Sequence, residues 1–305
     1  MMDMVAEIAL SLVEARSLGA LFAGGSPSIG RCGEVLGWPA RPLAEDRAER
    51  RLDRLHFGSE FCETLLPGEA QLRLAASKAA GAGIGLSLVT PAVSDAGLRR
   101  ITALLPLLPA GSEVIANDWG VLRLLRENHS AIIPVAGRIL CKMIKDPRLP
   151  SADWARLYPH GIHSRPFSAV LERLGVRRIE MDVPPFADAA DFRGAAMAIS
   201  VHSPYGFSVR GRSCRLGSLA QTPERKFMVS QACRKECLVY VDTLTREQVA
   251  DGVDLPTFQR GHTMFYRHSA KMTAALRSAL AEGYVDRLIL AGDWNEDRRS
   301  DQPTE

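Results

Sequence analysis

The chain has 305 residues, 46% of them hydrophobic, which is enough to bury one large core and fits the size of single α/β barrels. Its formal net charge of +3 is too small to argue for a nucleic-acid partner. Six cysteines in a chain this long are too few and too scattered for a disulfide framework, so a reducing, cytoplasmic setting is expected.

The N-terminal stretch through Gly25 is apolar enough to resemble a targeting signal, but Asp3, Glu7 and Glu14 interrupt it and no basic region precedes it. No run here or further on reaches the ~20 apolar residues that a spanning helix requires, so membrane insertion is not expected. An amphipathic first helix leading into a strand is expected instead. From there, short apolar runs alternate with amphipathic patterns, the signature of repeated βα units and a parallel sheet. The predicted strands cover 20–23, 52–57, 84–89, 113–117, 131–135, 178–183, 196–201 and 285–291. Predicted helices cover 43–51, 68–80, 94–105, 120–128, 167–174 and 269–282, with Ser94 and Ser164 at plausible starts and Gly at several ends. Eight strands predict an α/β fold, a closed (β/α)8 TIM-like barrel forming one domain over 1–305. The spacing fails over 137–166 and over 203–268, where insertions must sit on a strand end.

The second insertion holds the most informative segment. Cys214, Cys233 and Cys237 lie in a stretch where seven Lys or Arg face two Glu between Arg210 and Cys237. Cys233 and Cys237 are three residues apart, so a helix would stack their thiols on one face. Cationic neighbours lower thiol pKa and favour nucleophiles or metal ligands, and a basic shell suits a negatively charged iron–sulfur cluster. The alternative is that these are buried cysteines in a solvated basic loop. Cys32 and Cys141 follow predicted strands one and five and read as small apolar residues.

Polar residues at strand ends are the other candidates, because chemistry in barrels gathers at the C-terminal ends of strands. Glu60 follows strand two and is either a working group or a surface carboxylate. Asn117 and Asp118 end strand four, where they bind substrate or serve as a backbone partner and a helix cap. Arg138 ends strand five and would meet an anionic substrate or Glu60. Glu180 and Asp182 alternate on strand six and share one face, where a buried carboxylate must find a partner. His202 ends strand seven and is the best single acid/base candidate, the alternative being a hydrogen-bonded structural His. His160 and His163 form H-x-x-H in a loop without other ligands and read as solvated.

The runs EVIANDWGVLRLL (residues 113–125), FGSEFC (57–62), SVHSPYG (200–206) and the GRSC…CRKEC arrangement together resemble the collagenase-like peptidase family U thirty-two. Within it they look like the short single-barrel members of oxygen-independent ubiquinone biosynthesis. The resemblance implies a 4Fe-4S cluster on Cys62, Cys214, Cys233 and Cys237, and a heterodimer with a second member of the family. It also implies hydroxylation of a small aromatic or isoprenoid-quinone precursor, either by this chain or with this chain as a cluster-bearing electron-transfer subunit. The interval between Cys214 and Cys233 is longer than that resemblance leads one to expect, and no thiol follows His202. Other chemistries fit less well: paired C-x-x-C knuckles for zinc are absent, as are the compact three-cysteine run of radical enzymes, a G-x-S-x-G elbow and an H-E-x-x-H helix. RNA-base hydroxylation calls for a larger basic surface.

Overall fold

The structure is a computed structural model that describes residues 6–141, 143, 145–146, 148–149, 151–155, 157, 161–211, 213–219, 221–226, 233–244 and 255–293. Residues 1–5 and His160, among those discussed above, lie outside them. The strands in chain order begin with β1 (Glu7–Leu12), β2 (Arg54–Gly58), β3 (Gly85–Thr90) and β4 (Glu113–Ala116). β5 (Ile133–Ala136), β6 (Arg178–Met181) and β7 (Ala198–Ser203) follow. Next come β8 (Tyr205–Arg210), β9 (Asp242–Leu244), β10 (Thr257–Arg260) and β11 (Thr263–Arg267), and last β12 (Arg287–Ala291).

Strands β1 to β7 and β12 form a closed parallel barrel in which β1 pairs with both β2 and β12, so no edge is left unpaired. The helices between them are set by their caps. Ser94 accepts from the Gly97 amide at 3.2 Å to start Asp95–Leu104, and Ser269 accepts from Met272 at 3.2 Å to start Ala270–Ala281. Their apolar faces close on the outside of the barrel, as Leu72, Ile101, Leu122 and Leu276 illustrate, all fully buried.

Two sequence-based expectations fail at the N-terminus. The predicted strand over 20–23 is a helical turn, Leu18–Leu21, and the first barrel strand lies earlier, at β1, in place of the expected helix. Glu7, which interrupts the apolar stretch, points into the barrel and pairs with Arg54 at 3.0 Å and with Arg287. The helix Ile29–Leu36, capped by Ser28 and ended by Gly37 in the left-handed region (φ 62°), was not anticipated, and it buries Cys32.

The barrel interior is unusually polar at its N-terminal end. Arg287 grips Glu113 with both terminal nitrogens at 2.8 Å and reaches Glu7 with Nε at 2.7 Å, while Ser87 donates to Glu113 at 2.8 Å. Above this layer, Val89, Ile115 and Val135 fill the waist. Between β7 and β12 the chain builds a second, antiparallel sheet in the order β8-β11-β10-β9. It packs Tyr205, Phe207, Phe258 and Phe265 toward the barrel mouth, against Phe61.

Candidate functional site: a cysteine-lined cavity at the barrel mouth

Strand β2 ends on Gly58, whose φ of +130° and position, where an added Cβ would fall 2.3 Å from the Val89 carbonyl oxygen, admit only glycine. The turn it allows sends Ser59 to Cys62 across the mouth. Phe61 is then seized by the second sheet. Its ring meets Phe207 and Phe265 edge-on at 5.1 and 5.2 Å, and its carbonyl lies 2.9 Å from both Arg210 Nε and His262 Nε2. This attachment carries Cys62 to the cysteines of the insertion. Cys62, Cys214, Cys233 and Cys237 line one cavity of about 420 Å³, together with Glu60, Arg138 and His202.

The cysteine pair does not share one helix, so the stacking that a helix would give is not formed. Lys235 adopts the left-handed conformation (φ 63°) and breaks the segment, leaving Cys233 before the short turn Glu236–Leu238 that holds Cys237. Two thiols receive backbone amides instead, Gly217 N–H to Cys214 Sγ and Lys235 N–H to Cys233 Sγ, both at 3.2 Å. The expectation of lowered thiol pKa values is also corrected. Burial raises Cys214 and Cys233, and pushes Cys237 up to about 12 despite Arg260. Cations of the segment are engaged elsewhere, Arg215 with Asp242 at 3.2 Å and Arg210 with the Phe61 and Ala92 carbonyls. Cys32 and Cys141 are buried away from this cavity, and burial lifts each to about 12.

The floor is a closed charge network. Arg138 forks onto Glu60, Nε to Oε1 at 2.8 Å and Nη2 to Oε2 at 2.7 Å, and its Nη1 reaches Asp182 at 2.7 Å and the Tyr205 carbonyl at 3.0 Å. Lys145 completes Asp182 at 2.8 Å. Burial works to raise Asp182, but Lys145 and Arg138 outweigh it and hold the carboxyl at about 2. Glu180, one pleat deeper, has no such cation in contact. Burial lifts it to about 8, and its Oε2 lies 2.9 Å from His202 Nε2. His202, buried and near Arg138, is depressed to about 4. His56 lies behind Glu180, Nδ1 at 3.5 Å from Oε1, and burial lowers its pKa strongly.

Asn117 and Asp118 are not brought to the cavity. Asn117 is fully buried and spends its amide on backbone, donating to Thr90 and accepting from Ile139, both at 3.0 Å. Asp118 caps the helix Trp119–Asn128, accepting from Gly120 at 2.7 Å. His163 is exposed, its Nε2 3.2 Å from the Asp191 carbonyl. Lys145 and His56 were missed. Lys145 sits in the irregular stretch after β5 where no periodicity marks it, whereas His56 alternates with Arg54 on β2 and could have been read as inward-facing.

No protein-family model matches the chain, and no curated protein does either. Among solved structures it is similar to the U32 peptidase Mk0906, with TM-score 0.43 and 9% identity over 95% of this chain and 94% of that one. It is also similar to the spore cortex-lytic enzyme SleL of Bacillus megaterium QM B1551, with TM-score 0.39 and 10% identity over 95% of this chain and 71% of that one.

Proposed function

We propose that the chain is an iron–sulfur protein that holds a 4Fe-4S cluster on Cys62, Cys214, Cys233 and Cys237. It takes part in oxygen-independent hydroxylation of a small aromatic or isoprenoid-quinone precursor, as in ubiquinone biosynthesis. The observation that carries this reading is the convergence of four thiols, from segments some 150 residues apart, on one cavity with Glu60, Arg138 and His202. The donor set fits: four soft thiols, two of them already receiving backbone N–H groups of the kind that tune cluster sulfurs. Among the described residues, the only group of three or more candidate ligands within 4.8 Å of one another is Glu60, Glu180 and His202, so the thiols are spread more widely than a single tetrahedral ion needs. With Zn–S near 2.3 Å, that ion's ligands would stand about 3.8 Å apart. A cluster, when bound, supplies one-electron chemistry. Around it, Arg138 pins Glu60, His202 offers a nitrogen to the cavity, and Phe61 and Phe265 give an apolar wall suited to a flat ring. A second copy of the fold is the natural partner. Val209, Leu219, Val239 and Tyr240 are exposed apolar residues on and beside the cysteine insertion and would be covered in such a heterodimer.

The test is anaerobic reconstitution of single Cys→Ala variants, read by the visible absorption of the cluster. Cys62, Cys214, Cys233 and Cys237 variants should each lose most of it, and Cys32→Ala and Cys141→Ala should keep it. Full incorporation in any of the first four would remove that residue from the ligand set. A loaded chain that turns over no precursor, alone or with its partner, would favour a pure electron-transfer subunit.

A further inference from the structure

Two cations, Arg138 and Lys145, face two anions, Glu60 and Asp182, in the floor, all within 2.8 Å contacts, so this group is already electrically balanced. Glu180 is fully buried behind it and touches no Arg or Lys; its contacts are the imidazoles of His202 and His56. An ionised carboxylate there would be a net buried charge, which is costly enough that such groups take up a proton instead. Where that proton sits follows from the contacts. Oε1 has no hydrogen-bond partner, while Oε2 lies 2.9 Å from His202 Nε2. The Oε2–H therefore donates to Nε2, and a neutral His202 must carry its own hydrogen on Nδ1. Among the described residues Nδ1 has no partner, and His202 lines the cavity.

From this geometry we propose that Glu180 and His202 form a proton relay: a carboxylic acid stored inside the barrel delivers its proton, through the imidazole, to a substrate atom bound over His202 in the cavity. The proposal rests on reading the cavity as a reaction site. In the step, Nδ1–H breaks as the substrate atom takes that proton, Oε2–H breaks as Nε2–H forms, and Glu180 is left as a carboxylate accepting from Nε2–H. The relay resets when a proton from the cavity returns to Nδ1 and the Nε2 proton goes back to Oε2. The imidazole stays neutral before and after, so no cation need be created beside Arg138. The substrate class is one whose reacting carbon or oxygen gains or loses a single proton at the cavity floor. Glu180 acts through His202 and is a proton-storing, positioning residue.

Charged and titratable groups surround the Glu180–His202 pair from several elements, and of these Arg287, Arg138, Glu113 and Arg178 act most on Glu180. Glu60 and His56 come from β2 and its turn, Arg138 and Lys145 from the segment after β5, and Asp182 from beyond β6. His268 follows β11, and Arg287, Glu113 and Arg178 form the layer beneath. Burial dominates and places Glu180 near 8, against the pull of Arg287 and Arg138. A divalent ion on Glu60, Glu180 and His202 is a poorer reading, since both Glu60 oxygens already accept from Arg138.

The test uses the full chain at pH 7 with cluster content measured in parallel. Infrared difference spectra of wild type minus Glu180→Gln should contain one neutral carboxylic-acid C=O band that moves in D₂O and disappears as the pH passes about 8. Nitrogen-15 NMR should place the His202 hydrogen on Nδ1. An ionised Glu180 at pH 7, or a hydrogen on His202 Nε2, overturns the relay and leaves the cluster reading standing. Zinc or no metal on the cysteines with the acid band present overturns the cluster reading and leaves the relay. The wild-type NMR measurement decides the point even if Glu180→Gln fails to fold.

Discussion

Arg138 is the residue on which the cavity floor depends. Four of its five N–H groups go to Glu60, Asp182 and the Tyr205 carbonyl in a buried site, and no other side chain offers that fork. Arg138→Met should cost about 3–5 kcal/mol in urea unfolding, because Glu60 and Asp182 would be left as poorly compensated buried charges. Arg138→Lys should recover part of the stability without restoring the orientation of Glu60. The neighbouring groups also write a pH signature. Glu180 keeps its proton to about 8 in the fold but releases it at 4.5 when unfolded, so the folded state binds the extra proton between those values and stability falls with rising pH there. His202 and His268 are depressed to about 4 and about 3 from 6.5, so the unfolded state binds more protons below 6.5 and stability rises with pH in that range. His56 and His262 are lowered from 6.5 as well, so with four histidines against one carboxyl the midpoint for unfolding should climb to about pH 6.5 and then decline toward 8. Glu180→Gln should abolish the decline and keep the acid limb; a decline that persists in that variant would show that other groups cause it.

At the scale of elements, the turn after β2 and the inserted sheet are one device. Phe61→Ala removes two edge-on ring contacts and loosens the carbonyl that Arg210 and His262 hold. The expected cost is about 3 kcal/mol in thermal or urea unfolding, with reduced cluster incorporation although all four cysteines remain. Unchanged incorporation would mean that Cys62 is positioned without the sheet. Much of this element-level layout is legible in the sequence, and the misses have physical causes. Strands β2 to β7 and β12 announce themselves by β-branched and apolar runs between glycines and caps. β1 does not, because Glu7 sits at an inward position whose partners, Arg54 and Arg287, come from strands up to 280 residues away. Asp182's inward face follows from its alternation with Glu180, but its partners Arg138 and Lys145 come from a stretch with no periodicity. The thiol environment is not legible in the sequence for a related reason: sequence proximity of Arg and Cys says nothing about which way the guanidinium turns, and Arg215 turns to Asp242.

Over the whole molecule, the two ends of the barrel have separate tasks. The N-terminal end is an ion-paired plug of Glu7, Arg54, Glu113 and Arg287, and the C-terminal end holds the cavity. No helix of the described residues is long and apolar enough to cross a membrane. Co-expression with a homologous barrel should give a heterodimer on size-exclusion chromatography, and replacing exposed Val209 and Val239 by Glu should weaken it. A stable active monomer would speak against the pairing. Iron and acid-labile sulfide per chain, determined on anaerobically purified wild-type protein alongside its Mössbauer spectrum, bear most directly on what the cavity is for. The proposed cluster predicts equal iron and sulfide with the spectrum of a cubane cluster, whereas zinc in place of iron, or iron without sulfide, would contradict it.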